Sequence, residues 1–76
     1  MSENLERIVG EALEDVFPYL ARPGEVREIV ESLVRETESM EEFVRSLKRK
    51  IEESREQTIR TDLRILMNRV QNIEQV

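Results

Sequence analysis

The sequence predicts an all-α fold: an N-terminal helical hairpin, then one long C-terminal helix, associating as a dimeric helical bundle or coiled coil. Three observations carry that prediction. Every Gly and Pro lies N-terminal to Glu25, at Gly10, Pro18, Pro23 and Gly24, so the rest of the chain has no strong helix breaker. Three aromatics, no sustained alternation of apolar and polar residues, and a wealth of Glu, Arg and Leu argue against strands. Apolar residues recur at intervals of three and four from Leu5 to Ile73, which marks one buried face of a helix.

The first helix is expected to begin near Ser2, whose hydroxyl can accept from an unsatisfied backbone N–H, with Glu3 and Glu6 near the positive end of the helix dipole. Its apolar face is Leu5, Ile8, Val9, Ala12, Leu13, Val16, Phe17 and Leu20. Gly10 lies beside that face, either as a simple cost of about 1 kcal/mol against Ala or as a notch for a closely approaching helix, and the plainer reading is preferred. Pro18 disfavours helical geometry at Phe17 and ends or kinks the helix there, leaving Tyr19–Gly24 as the one clear loop. Phe17 and Tyr19 read as plugs at that corner.

A second helix starts near Pro23 or Gly24, with Glu25 and Glu28 in its first turns and an apolar face of Val26, Ile29, Val30, Leu33 and Val34. Ser39-Met40-Glu41-Glu42 has the form of a capping box and favours a break near Ser39. Competing with it, Val26, Val30, Leu33, Thr37, Met40, Val44, Leu47, Ile51, Ser54, Thr58, Thr61 and Ile65 keep an unbroken 4-3-4-3 spacing, that of a coiled-coil seam. From Met40 the helix is expected to run on to about Ile73, about 50 Å at 1.5 Å per residue. A turn within Glu52–Thr58 would fold it back, but that segment is mostly strong helix formers and the continuous helix is preferred. Ser54, Thr58 and Thr61 are the unusual polar members of the seam. The apolar face is expected to rotate past them, from Ile51 to Ile59, and leave their hydroxyls in solvent.

The chain is thus expected to be a single helical domain, 1–76, with an acidic hairpin over 1–38 and a long, more basic helix over 39–76. At 76 residues a lone chain removes only about 60% of its unfolded surface from water. With no Cys and no His, disulfides and thiolate or imidazole metal sites are excluded as supports. Self-association is the support left, through an interface of Met40, Val44, Leu47, Ile51, Ile59, Leu63, Leu66, Val70 and Ile73. The last five extend beyond the reach of two short N-terminal helices. Antiparallel pairing is favoured, because up to Glu42 the chain has twelve acids and four bases, and from Phe43 on it has five acids and eight bases.

The functional reading is a non-enzymatic, homo-oligomeric interaction or assembly module, a small subunit or adaptor, with itself or another protein as partner and with no catalytic, cofactor or metal site. The alternative is a nucleic-acid-associated regulator using the basic C-terminal helix, through Arg45, Lys48, Arg49, Arg55, Arg60 and Arg64. The plainer account of those bases, a solvated face paired with Glu52, Glu53, Glu56 and Asp62 or with the acidic N-terminal half of a neighbour, is preferred, since net charge is −5 and no aromatics are interleaved. Acidic pairs such as Glu14–Asp15 and Glu41–Glu42 read as helix surface, and Met40 and Met67 as core filler. Ten Arg against two Lys, with fifteen Glu, has a thermophile-like cast, and a GC-rich genome would give the same Arg bias. No apolar run approaches the ~18 residues of a membrane span, and a cytoplasmic location is expected.

Overall fold

A computed structural model describes residues 3–74, as four α-helices and one turn of 3₁₀-helix. Helix α1 spans Glu3–Val16, the 3₁₀ turn Phe17–Tyr19, α2 Pro23–Glu36, α3 Met40–Glu53 and α4 Gln57–Glu74. The cap expected at Ser2 lies outside the described residues.

Local chemistry accounts for most of these boundaries. Pro18 takes an early position in the 3₁₀ turn, and α1 stops one residue before Phe17. Pro23 opens α2, where its missing N–H is no loss. At the far end of α2, Thr37 is buried. Its backbone N–H (3.1 Å) and its hydroxyl (2.7 Å) both donate to the Leu33 carbonyl, which satisfies one of the acceptors a helix C-terminus leaves open. Ser39 then starts α3 as the expected cap. Its Oγ accepts from Glu42 N–H at 3.2 Å, while Glu42 Oε1 reaches back one residue past the cap and accepts from Glu38 N–H at 3.1 Å, a shifted form of the capping box.

The continuous C-terminal helix does not form. The chain leaves helical geometry at Ser54, whose backbone is extended (φ −72°, ψ 133°), and α4's first helical bond runs from Arg60 N–H to Glu56 O. No described residue has a positive φ, so the three-residue loop Ser54–Glu56 needs no glycine, and its sequence carries no warning of a turn. The reason lies in packing. Ile59, Leu63, Leu66 and Val70 are each at most 5% exposed in the folded chain. Removing each from water is worth about 1.5–3 kcal/mol, whereas taking three residues out of a helix forfeits only a fraction of a kcal/mol apiece. For one chain by itself, folding back wins.

Once α4 folds back it becomes the element against which the others assemble. It packs most extensively on α1, then on α3 and α2, and α1 packs more extensively on α4 than on its sequence neighbour α2. The core is one cluster, running from Leu5, Val9 and Ala12 of α1 through Val26, Val30 and Leu33 of α2 and Phe43, Leu47 and Ile51 of α3 to the α4 stripe. The radius of gyration is 11.1 Å, near the ~11 Å of a compact domain this long. The accessible surface of 5090 Å² is close to the ~4,900 Å² of a folded monomer of this mass.

This corrects the account of the apolar stripe. Leu47, Ile51, Ile59, Leu63, Leu66 and Val70, expected between copies, are buried in the chain's own core, and Met40, Val44 and Ile73 are half-buried at its edge. The seam also loses its continuity at Thr37–Ser39 and again at Ser54–Glu56. Thr58 and Thr61 are exposed and Ser54 is half-buried, so the polar seam residues stay out of the core. Phe17 is half-buried under the Arg27 guanidinium, 4.8 Å from its ring centre, but Tyr19 is 76% exposed and plugs nothing.

Candidate functional site

The most constrained polar group in the molecule is Asp62, which the sequence places among ordinary surface charges. It is 2% exposed. Its position on the inner side of α4's first turns points the carboxylate at the loop before α2. There Oδ1 accepts from Ala21 N–H at 3.0 Å and Oδ2 from Arg22 N–H at 2.7 Å. A carboxylate held by two main-chain donors at a helix start is favoured by both the hydrogen bonds and the helix dipole. The arrangement is a cap supplied from forty residues away, and α2's own cap residue, Arg22, makes no side-chain cap bond. Only the fold brings these groups together, and no spacing in the sequence announces them.

The Arg22 side chain turns outward to Glu25 and to Glu56, 3.5 Å away in the α3–α4 loop. The hydrogen bond to Glu25, then the charges of Glu25 and Glu56, hold the guanidinium pKa above its usual value. At the other end of α4, Arg69 donates from Nε (2.9 Å) and from a terminal nitrogen (2.7 Å) to Asp15 Oδ2 of α1. Both side chains are about two-fifths exposed, so this is a surface clamp rather than a buried ion pair. Asp15 and Asp62 therefore act as structural ties, and Glu41 and Glu42 as a helix-surface partner of Arg45 and a cap. Among the described residues no group of three or more Asp or Glu side chains is placed to hold a metal ion.

The basic residues are arranged differently from expectation. Of the eight in α3, the loop and α4, only Arg45, with Glu41, and Arg69, with Asp15, form ion pairs among the described residues. Lys48, Arg49, Lys50, Arg55, Arg60 and Arg64 form none, so the pairing foreseen with Glu52, Glu53 and Asp62 does not occur, and Glu56 is taken by Arg22. These six cations fall within seventeen consecutive positions that include the α3–α4 loop, and all but Arg60 are exposed. Arg60 is half-buried, and its Nε is shielded from solvent with no hydrogen-bond partner. The pairing expected within the helix fails at Asp62 because its carboxylate turns inward to the Ala21 and Arg22 N–H groups, and at Glu56 because Arg22 reaches it.

Two of the open grooves on the surface bear on association. One, of about 400 Å³ between α1 and α2, has Val9, Leu13, Val30 and Val34 along it with Glu6, Glu31 and Arg35 at its rim, and Gly10 opens onto it. A Cβ added at Gly10 would meet nothing within 4 Å, so Gly10 permits no close helix approach within the chain. The other, between α3 and α4, is lined by Glu41, Val44, Arg45, Lys48 and Gln71. Neither encloses a polar cluster of the kind catalysis needs. Among the described residues no helix is long and apolar enough to cross a membrane.

No curated protein and no solved structure matches the chain significantly. A family model does match, over residues 4–75, which takes in all four helices and the Asp62 anchor: the chain belongs to the MJ1579 family.

Proposed function

We propose that the protein is a non-enzymatic helical interaction module that acts through its charged surface, associating with a second copy of itself or with another acidic protein. The observation that carries this reading is the run of cations from Lys48 to Arg64 that have no ion-pair partner among the described residues. The same molecule carries twelve acids against four bases up to Glu42. Unpaired charge of one sign at one end of a domain and an excess of the other elsewhere favours contact between copies, and steers their encounter. Sedimentation across a salt series tests it. Association at low ionic strength that weakens as salt rises supports self-association, and a monomer at every salt and protein concentration overturns it and leaves only a different acidic protein as partner.

The same cations also support a second reading, in which α3 and α4 track a phosphate backbone as part of a nucleic-acid-associated regulator. The net charge of −5 and the lack of aromatics among the bases weigh against it. Titration of DNA and RNA at low salt separates the two, since this second reading requires binding that falls steeply with added salt.

A further inference from the structure

The loop Ser54–Glu56 is the only interruption between two helices that together keep the 4-3-4-3 seam spacing from Met40 to Ile65, apolar except at Ser54, Thr58 and Thr61. It has the composition of a helix rather than of a turn. It contains no Gly and no Pro, no positive φ, and two strong helix formers, Arg55 and Glu56. The contacts that hold α4 in place are contacts with α1, α2 and α3. None of them requires that α4 belong to the same chain.

We infer that the groove which α4 fills is also an interaction surface for a second copy of the chain: the α3–α4 hairpin opens at Ser54–Glu56 into one continuous helix, and two copies exchange their α4 helices. Each α4 then buries Leu63, Leu66 and Val70 against its partner's α1 to α3, so the core packing of both copies is retained. The exposed seam positions Thr58 and Thr61 serve no packing purpose in the closed form. In the open form they lie on a continuous helix at the place where the two hinges pass each other, where small hydroxyl side chains permit close approach. The closed monomer dominates at low concentration, because a short connection holds α4 at an effective concentration on the order of millimolar. Exchange becomes competitive near that concentration, or when the hinge is made more helical. The inference goes beyond charge-mediated association, since what holds the exchanged dimer is the apolar core, which salt does not weaken.

The test uses the absence of native Cys. Glu41 and Gln71 line the same groove of the closed form and lie close together, whereas on a continuous helix they are about 45 Å apart at 1.5 Å per residue. Spin labels on Glu41→Cys and Gln71→Cys in the full chain, diluted with unlabelled protein so that only distances within one chain are read, report which form is present. The protein is refolded at millimolar concentration and the dimer fraction isolated in high salt. The expected result is a slowly dissociating dimer with the long distance. Replacing Ser54-Arg55-Glu56 by three Ala should raise its yield at least tenfold. Arg55→Pro, which suits the extended backbone of Ser54 and forbids a continuous helix, should abolish it while leaving the monomer folded. A dimer showing only the short distance overturns the exchange and leaves association through the exposed surface standing. A chain that stays monomeric even with the Ala hinge overturns the exchange outright, whatever the salt series shows.

Discussion

Asp62 Oδ2 lies 2.7 Å from the backbone N–H of Arg22, joining the first turns of α4 to the start of α2 across forty residues of chain. With the second bond, from Ala21 N–H, it fixes the loop after the 3₁₀ turn and so the angle at which α2 leaves it. Asp62→Ala should lower stability by about 2 kcal/mol, because two main-chain donors lose a charged acceptor and a buried site is left partly empty. Asp62→Asn, which keeps a single acceptor and no charge, should cost roughly half as much. Denaturant unfolding measures both, and equal, negligible effects would show that the anchor is not held in solution.

Leu66 has no exposed surface within the single chain. Leu66→Ala should therefore cost about 2–5 kcal/mol, a large share of the 5–15 kcal/mol typical of a domain. Leu66→Glu should unfold the protein, since it places a carboxylate in the core without a partner. Far-UV circular dichroism with sedimentation distinguishes this from the outcome expected of a pure subunit-interface residue, a variant that remains helical and merely changes its state of association.

The contrast between Asp62 and Leu66 shows what the sequence could and could not reveal. Leu66 was legible as a buried residue because helical periodicity is a local property, and the same logic placed Leu5, Val9, Leu33 and Leu47. What covers Leu66 was not legible. That depended on whether three residues, Ser54–Glu56, leave helical geometry, and their propensities favour the opposite of what tertiary packing imposes. Asp62 was misjudged for a related reason. A carboxylate next to Thr61 and Leu63 on a charged helix looks like any surface acid, and its partners are backbone groups, which carry no residue signature. Ser39 and Glu42 were found because a capping box is written within four consecutive residues.

That box gives its own measurable consequence. Ser39 is an exposed cap whose side chain accepts one bond among the described residues, from Glu42 N–H at 3.2 Å. Ser39→Ala should lower stability by about 1 kcal/mol, and Ser39→Asp should largely preserve it, with the added charge favourable at the start of α3. Thermal unfolding of the two variants provides the check. If Ala and Asp behave alike, then the α2–α3 junction is held by Thr37 and packing instead.

Arg69 and Asp15 make the one long-range surface ion pair joining α1 to α4 among the described residues. Both partners are about two-fifths exposed, so a double-mutant cycle with Asp15→Ala and Arg69→Ala should yield a coupling of only about 0.5 kcal/mol. The coupling should shrink as salt is raised. A salt-independent coupling above about 2 kcal/mol would mean that the pair is more shielded from water in solution than its exposure indicates.

Gly10 offers the clearest separation between folding and function. It occupies the interior of α1 on an exposed face, and a methyl group there has open space around it. Gly10→Ala should therefore raise stability by about 0.5–1 kcal/mol through helix propensity and a less flexible unfolded chain. If the groove beside it, along Val9, Leu13, Val30 and Val34, receives no partner, a larger residue such as Leu should stabilise the fold nearly as well and leave association unchanged. Melting temperature and sedimentation of the Ala and Leu variants, measured together, decide the matter. Stabilisation with unaltered association assigns the groove to the free surface, whereas stabilisation with lost association assigns it to the contact between molecules.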